Sequence, residues 1–176
     1  MDTFNVFLLF LIFNAVNLLT GGNAELSCPT AFELHGERCY KALDLYASWA
    51  EAKIYCRVLG GKLAVVDSNY EQTIISGMMT QMIGKISNPL YWLDGSDMLV
   101  EHEWRWMGDH GDSVPISYSN WADGQPERSK ERCLEIRYDW LSRWNNHHCW
   151  YTKSFFCEAR AVATEGEIVN ETIQDP

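Results

Sequence analysis

Six cysteines, Cys28, Cys39, Cys56, Cys133, Cys149 and Cys157, all lie beyond the first 24 residues of the chain. An even set of cysteines behind an apolar N-terminus is the pattern of an exported domain stapled by three disulfides, with every pairing still open. Zinc is the competing use of cysteine. No two of these residues stand in the short Cys-x2-Cys spacing that grips the metal, so the thiols read as bridge partners.

The N-terminal stretch supports export. Val6 to Phe13 is continuously apolar, and the apolar character resumes at Ala15, Val16, Leu18 and Leu19. Gly22 and Ala24 then set small residues two apart, as a signal peptidase requires. A basic n-region is missing, and Asp2 is the only charge before the apolar run. The stretch is shorter than the roughly 20 residues that span a bilayer, and no basic residue flanks it. Residues 1–24 are therefore read as a signal peptide and the mature chain as secreted, with no membrane span.

A chain of 176 residues supplies one domain with a real core and is too short for two ordinary ones. The domain is assigned to residues 25–160. The remainder, 161–176, is acidic, lacks basic and aromatic residues, and reads as a disordered tail. Within that tail Asn170-Glu171-Thr172 is an acceptor sequence for N-linked glycan. A net charge of −10 argues against nucleic acid and anionic membranes as partners, because the chain has no excess of cations to neutralise phosphate.

Cys28 to Tyr40 reads as a hairpin, with Phe32, Leu34 and Tyr40 as its apolar side chains and Gly36 at the turn. Ser48 and Glu51 form a capping box for a first helix, whose buried stripe is Trp49, Ala52, Cys56 and Leu59 before Gly60-Gly61 stops it. Lys62 to Val66 is a strand candidate. Ser68 and Glu71 open a second helix with the stripe Ile74, Met78 and Met82, ended near Pro89. Short strands follow around Tyr91-Trp92-Leu93, Trp104 and Trp106, Leu134 and Ile136, and Phe155-Phe156-Cys157. Tyr91, Trp92, Trp104, Trp106, Trp144 and Trp150 are expected in the core, with Trp121 partly exposed. The span from Asp109 to Lys130 is turn-like, and loops of that length in compact domains are usually functional.

Oxygen-bearing side chains gather at the end of that loop and just after it. Gln125, Asn145 and Asn146 offer amide oxygens, and Glu127 and Glu131 offer carboxylates. Calcium is a hard cation that takes six to eight such oxygens at flexible distances. Pro126 stiffens the loop, and a cis bond before it would turn both neighbours the same way. Catalysis has no comparable support. Neither Gly-x-Ser-x-Gly nor His-Glu-x-x-His occurs, Glu135 and Asp139 make no catalytic pair, and His147-His148 on a strand would face opposite sides.

The chain resembles the C-type lectin-like domain from Cys28 to about Glu158. The resemblance is carried by the Trp49 helix ending at Cys56, by Tyr91-Trp92-Leu93-Asp94-Gly95, and by Asn120-Trp121 leading into Gln125-Pro126-Glu127. Cys133-Leu134-Glu135-Ile136, Trp144-Asn145-Asn146, Cys149 and Phe156-Cys157-Glu158 complete it. It implies an α+β fold of two helices, two small antiparallel sheets and a long loop region. It also implies the pairs Cys28–Cys39, Cys56–Cys157 and Cys133–Cys149, the first marking the long form of the domain.

The resemblance further implies no enzyme. It implies a secreted lectin that holds Ca2+ through Gln125, Glu127, Glu131, Asn145 and Asn146 and, through the ion, a glycan ligand. Soluble members of this kind act in recognition of microbial surfaces. Galactose-type members carry Gln-Pro-Asp in the first loop, so Gln125 points to galactose, whereas Glu127 is one methylene longer than the family's aspartate. Asn146 stands where the family uses an aspartate. Asp97 and Glu101 match two ligands of an auxiliary calcium site, with Arg128 where a further acidic ligand is expected. Arg128, Lys130 and Arg132 also bring positive charge beside the loop. The alternative expectation is a calcium-independent domain of the same fold that binds a protein partner.

Overall fold

A computed structural model describes residues 25–84, 90–109 and 111–164. The expected signal peptide, Pro89 and the Asn170 acceptor sequence lie outside the described residues.

Two units are distinguished, one containing Glu25–Ser27 and Val162–Thr164, the other Cys28–Ala161. In the first, β1 (Glu25–Ser27) pairs antiparallel with β11 (Val162–Thr164), with Glu25 opposite Thr164 and Ser27 opposite Val162. The expected disorder from Ala161 onward is thus corrected for residues 162–164, which carry β-branched Val162 and Thr164 and find a partner strand.

In the second unit β2 (Glu33–His35) and β3 (Arg38–Ala47) form the expected hairpin, with Leu34 opposite Cys39. Gly36 turns it with φ +62°, and a Cβ there would stand 2.9 Å from the Tyr70 hydroxyl. The positive φ is what favours glycine here, since the exposed Tyr70 side chain can swing aside. Phe32 and Tyr40 are buried as expected, while Leu34 faces solvent.

Helix α1 (Trp49–Val58) begins at a full capping box: Ser48 Oγ accepts the Glu51 N–H, and Glu51 Oε2 accepts the Ser48 N–H at 2.8 Å. Its buried face is Trp49, Ala52 and Cys56. Next comes β4 (Lys62–Leu63), shorter than the Lys62 to Val66 run read from sequence; Ala64, Val65 and Val66 are buried without continuing the strand. Helix α2 (Asn69–Met82) is capped by Ser68 alone. The Glu71 carboxylate turns instead to the Asp67 N–H at 2.7 Å and to Arg38 at 2.8 Å. Its buried residues are Glu71, Gln72, Ile75, Met78 and Met79, so the face is rotated from the expected Ile74–Met78–Met82 stripe.

The remaining strands are β5 (Leu90–Ser96), β6 (Arg105–Trp106), β7 (Val114–Pro115), β8 (Cys133–Arg137), β9 (Arg143–His147) and β10 (Lys153–Arg160). They join β2, β3 and β4 in a nine-stranded sheet ordered β2-β3-β10-β5-β6-β7, with β4 on β10 and β8 between β5 and β9. The two sheets are therefore unequal, and the β10–β5 pairing is parallel. The α+β class stands.

Strands β5 and β10 are covered on both faces. Tyr91, Leu93 and Phe156 pack into one apolar cluster with Met79, Leu134 and Trp144. Trp92 and Phe155 pack into another with Trp49, Cys56, Cys133 and Cys157. Each fully buried aromatic of this kind contributes about 1.5–3 kcal/mol. Three of the buried indole donors are satisfied: Trp92 Nε1 donates to Ala47 O at 3.0 Å, Trp49 Nε1 to Leu93 O at 2.9 Å, and Trp144 Nε1 to Gln72 Oε1 at 2.9 Å, whereas Trp106 Nε1 is buried without a hydrogen-bond partner among the described residues. The disulfides are Cys28–Cys39, Cys56–Cys157 and Cys133–Cys149, as the resemblance implied. Among the described residues no helix is long and apolar enough to cross a membrane.

Candidate functional site: the loop face at residues 125–146

Strands β8 and β9 form a tight antiparallel pair, with Glu135 opposite Asn145, Leu134 opposite Asn146 and Cys133 opposite His147. The Cys133–Cys149 bridge closes the open end of that pair. The long loop returns alongside it. Trp144 N donates to Asn120 O at 2.8 Å, and Ala122 N donates to Trp144 O at 2.9 Å. Asp123 and Gly124 then turn the chain, Gly124 at φ +82°, so that Gln125 N reaches Ala122 O at 2.9 Å. The Gln125–Pro126 bond is cis.

Asn146 is fully buried and binds the loop from inside. Its Oδ1 accepts the Glu127 N–H at 2.9 Å, and its Nδ2 donates to Glu127 O and Glu131 O, each at 3.0 Å. Gln125 Oε1 accepts the same Glu127 N–H at 3.0 Å. Ser129 Oγ donates to Glu131 Oε2 at 3.2 Å and accepts the Glu131 N–H at 3.1 Å. Gln125, Glu127, Glu131 and Asn146 therefore belong to one hydrogen-bonded unit.

Asn145 is positioned from behind. Its Nδ2 donates to Glu135 Oε1 at 2.7 Å, which leaves Oδ1 for another partner. Glu135 is itself buried and pairs with Lys153 at 2.7 Å and with Arg137 at 3.4 Å. Lys153 Nζ also lies 5.1 Å from the Trp92 ring centroid. Sequence reasoning dismissed Glu135 as a catalytic partner, used it otherwise only within the Cys133-Leu134-Glu135-Ile136 motif, and overlooked Lys153 and Ser129. A charged residue inside an apolar strand was the available signal, because a buried carboxylate demands a partner. His147, next along β9, has its pKa lowered by burial and by nearby Lys153, against the pull of Glu135 and Glu131.

Asp97 and Glu101 are brought together by a cation of the chain itself. Arg132 Nη1 donates to Asp97 Oδ2 at 2.9 Å, and Arg132 Nη2 reaches Glu101 Oε1 at 2.7 Å. That contact holds the Glu101 carboxyl below its ordinary range. Arg132, rather than the expected Arg128, takes the position against this pair, and Arg128 is exposed. Among the described residues no group of three or more His, Cys, Asp or Glu side chains is arranged to hold a metal.

Gln125, Glu127, Glu131 and Asn145 carry hard oxygen donors of the kind calcium takes, two of the four being carboxylates, although Gln125 Oε1 already accepts the Glu127 N–H. Asn146 fits less well, since its side-chain atoms already serve the loop backbone. At Asp97 and Glu101 the guanidinium supplies the positive charge.

Such a domain is a disulfide-stapled α+β fold that presents a hydrogen-bonded polar loop face. The family model of the Lectin C-type domain matches residues 46–159, and the chain belongs to this family of binding proteins. It is 35% identical to perlucin of Haliotis laevigata over 138 residues, covering 77% of this chain and 84% of perlucin. It is 30% identical to the galactose-specific lectin nattectin of Thalassophryne nattereri over 156 residues, covering 88% of this chain and 94% of nattectin. Among solved structures, a calcium-independent type II antifreeze protein superposes with TM-score 0.68 at 25% identity, covering 80% of this chain and 99% of that one.

Proposed function

We propose that the chain is a secreted lectin that binds glycan at the 125–146 face, with calcium held by Gln125, Glu127, Glu131 and Asn145. The observation that carries this reading is the single hydrogen-bonded unit joining Gln125, Glu127 and Glu131 to the Asn145-Asn146 strand. Calcium, when bound, supplies open coordination positions for vicinal sugar hydroxyls. The chain's own residues orient those hydroxyls. Glu127 and Glu131 accept from them, and the amide groups of Gln125 and Asn145 add donors and acceptors. Galactose is the first sugar to test, on Gln125 and on the similarity to nattectin. A donor set with only two carboxylates belongs at the weak end of calcium affinities, about 10⁻⁴–10⁻³ M. Residues 1–24 direct secretion in this reading, and Asn170 carries the glycan.

A second reading has specific support. The Asn146 clasp and the Arg132 clamp hold both loops with groups the chain already contains, and the fold is shared with a calcium-independent antifreeze protein. In that reading the same face binds a protein partner without calcium. Calorimetric titration of the disulfide-intact chain with calcium, repeated on Glu127→Ala, separates the two. Heat at millimolar calcium that vanishes in the variant supports the first. No heat sinks the calcium mechanism, and a glycan array with and without chelator then decides between sugar and protein.

A further inference from the structure

Trp150 was expected in the core, but it is 67% exposed, and Tyr151 beside it is 51% exposed. Exposing an indole forgoes a large apolar burial, so a fixed, exposed tryptophan calls for a reason. Fixed it is. Cys149, immediately before it, is bonded to Cys133, and Cys149 O accepts the Trp49 N–H at 3.0 Å. Tyr151 N donates to His148 O at 3.2 Å, closing the turn. The His148 ring stacks on the Trp150 ring with centroids 4.3 Å apart and planes 16° apart. Tyr151 lies within 25° of parallel to Trp150, and His147 meets the Tyr151 edge at 4.8 Å.

His148 supports the Trp150 ring, whose indole remains mostly open to solvent. This platform begins two residues after Asn146, and the Cys133–Cys149 bridge ties the residue before Trp150 to Cys133, two residues after Glu131 and opposite His147. We infer that His148, Trp150 and Tyr151 form a stacking subsite for the second sugar of a glycan whose first sugar is held at the 125–146 face. The inference rests on reading that face as a glycan site. A pyranose presents one side of C–H groups about the size of an indole, with hydroxyls around its rim. An aromatic surface bordered by imidazole and phenol groups matches that mixture. Continuity with the polar loop favours a sugar over an apolar occupant, and a net charge of −10 disfavours an anionic lipid surface. Rigid aromatic rings also lose little entropy on binding.

The test uses the full disulfide-intact chain as wild type, Trp150→Ala and Trp150→Phe, titrated with galactose, lactose, mannose and mannobiose. For the disaccharide that binds wild type, Trp150→Ala should weaken affinity about tenfold, with Trp150→Phe intermediate. Affinity for the matching monosaccharide should stay within about twofold. Tryptophan emission should shift with disaccharide in wild type, and the shift should be absent in Trp150→Phe. Unchanged disaccharide affinity in Trp150→Ala overturns the subsite while leaving the loop reading intact. Equal losses for monosaccharide and disaccharide overturn it as well. Failure of wild type to bind any of the four sugars removes the loop reading and the subsite with it. An emission shift with neutral phosphatidylcholine vesicles but not with sugars assigns the rings to lipid and overturns the proposal.

Discussion

The Asn146 side chain and the Glu127 peptide bond each other in both directions, Glu127 N–H to Oδ1 at 2.9 Å and Nδ2 to Glu127 C=O at 3.0 Å. An amide can do this because it carries a donor and an acceptor side by side, whereas an ionised carboxylate only accepts. An aspartate would keep the first bond and set its second oxygen against two carbonyls, those of Glu127 and Glu131. Asn146, one of the two positions that depart from the family's ligand pattern, is thereby the residue that braces the loop.

Asn146→Asp and Asn146→Ala are each expected to cost about 1–3 kcal/mol in denaturant unfolding with chelator present, since buried partners are left unpaired. Calcium should return part of the loss to the aspartate variant, which gains a charged oxygen ligand, and none to the alanine variant. Equal responses of the two variants would remove the argument.

Arg132→Gln should set Asp97 and Glu101 against each other across the turn that the guanidinium now joins. Asp97 Oδ2 also accepts the His102 N–H at 2.9 Å, so that amide reports the change. Faster hydrogen exchange at His102 is expected in the variant. Added calcium should restore protection there and leave the wild-type amide unmoved.

The bridges should differ in worth according to the loops they close. Cys56–Cys157 spans 101 residues, against 16 for Cys133–Cys149 and 11 for Cys28–Cys39. Chain entropy assigns about 4.7 kcal/mol to a bridge of the longest kind and about 3 kcal/mol to one near 15 residues. Paired serine variants, compared by denaturation, should rank in that order. Loss of glycan binding should be greatest relative to stability for Cys133–Cys149, which closes the site strands and anchors Trp150.

Glu71 gives the domain a pH dependence. Burial raises its carboxyl to about 7, with Asp67 acting next and Arg38 opposing. The folded domain therefore holds this proton better than the unfolded chain. The resulting stabilisation is complete below the unfolded value and is lost as pH rises through about 7. Melting temperatures of wild type and Glu71→Gln should show wild type gaining relative to the variant at about pH 5 compared with about pH 8. A difference that grows with pH would mean that the Arg38 ion pair outweighs burial.

The fold was largely readable because local signals agreed with one another. Ser48 and Glu51 mark the start of α1, and Trp49, Ala52 and Cys56 give its face before any partner is known. Long-range packing decided the rest. Gln72 is buried in α2 because it receives the Trp144 indole N–H and donates to Ser142 O, which no local pattern announces. Trp150 faces out because a bridge and a turn hold it there, whereas hydrophobicity alone places tryptophan inside. At the loop, sequence located Gln125, Glu127, Glu131, Asn145 and Asn146. It could not tell a side chain that offers its oxygen outward from one that spends it on the backbone.

The β1–β11 pair sets Glu25 beside Thr164. A polypeptide entering at the first and leaving at the second passes through neighbouring strands, which is the arrangement that tolerates grafting into a host chain. Residues 25–164 thus have the connectivity of a cassette: spliced into an exposed turn of another protein, they would separate the host's two cut ends only by the spacing of adjacent strands, about 5 Å.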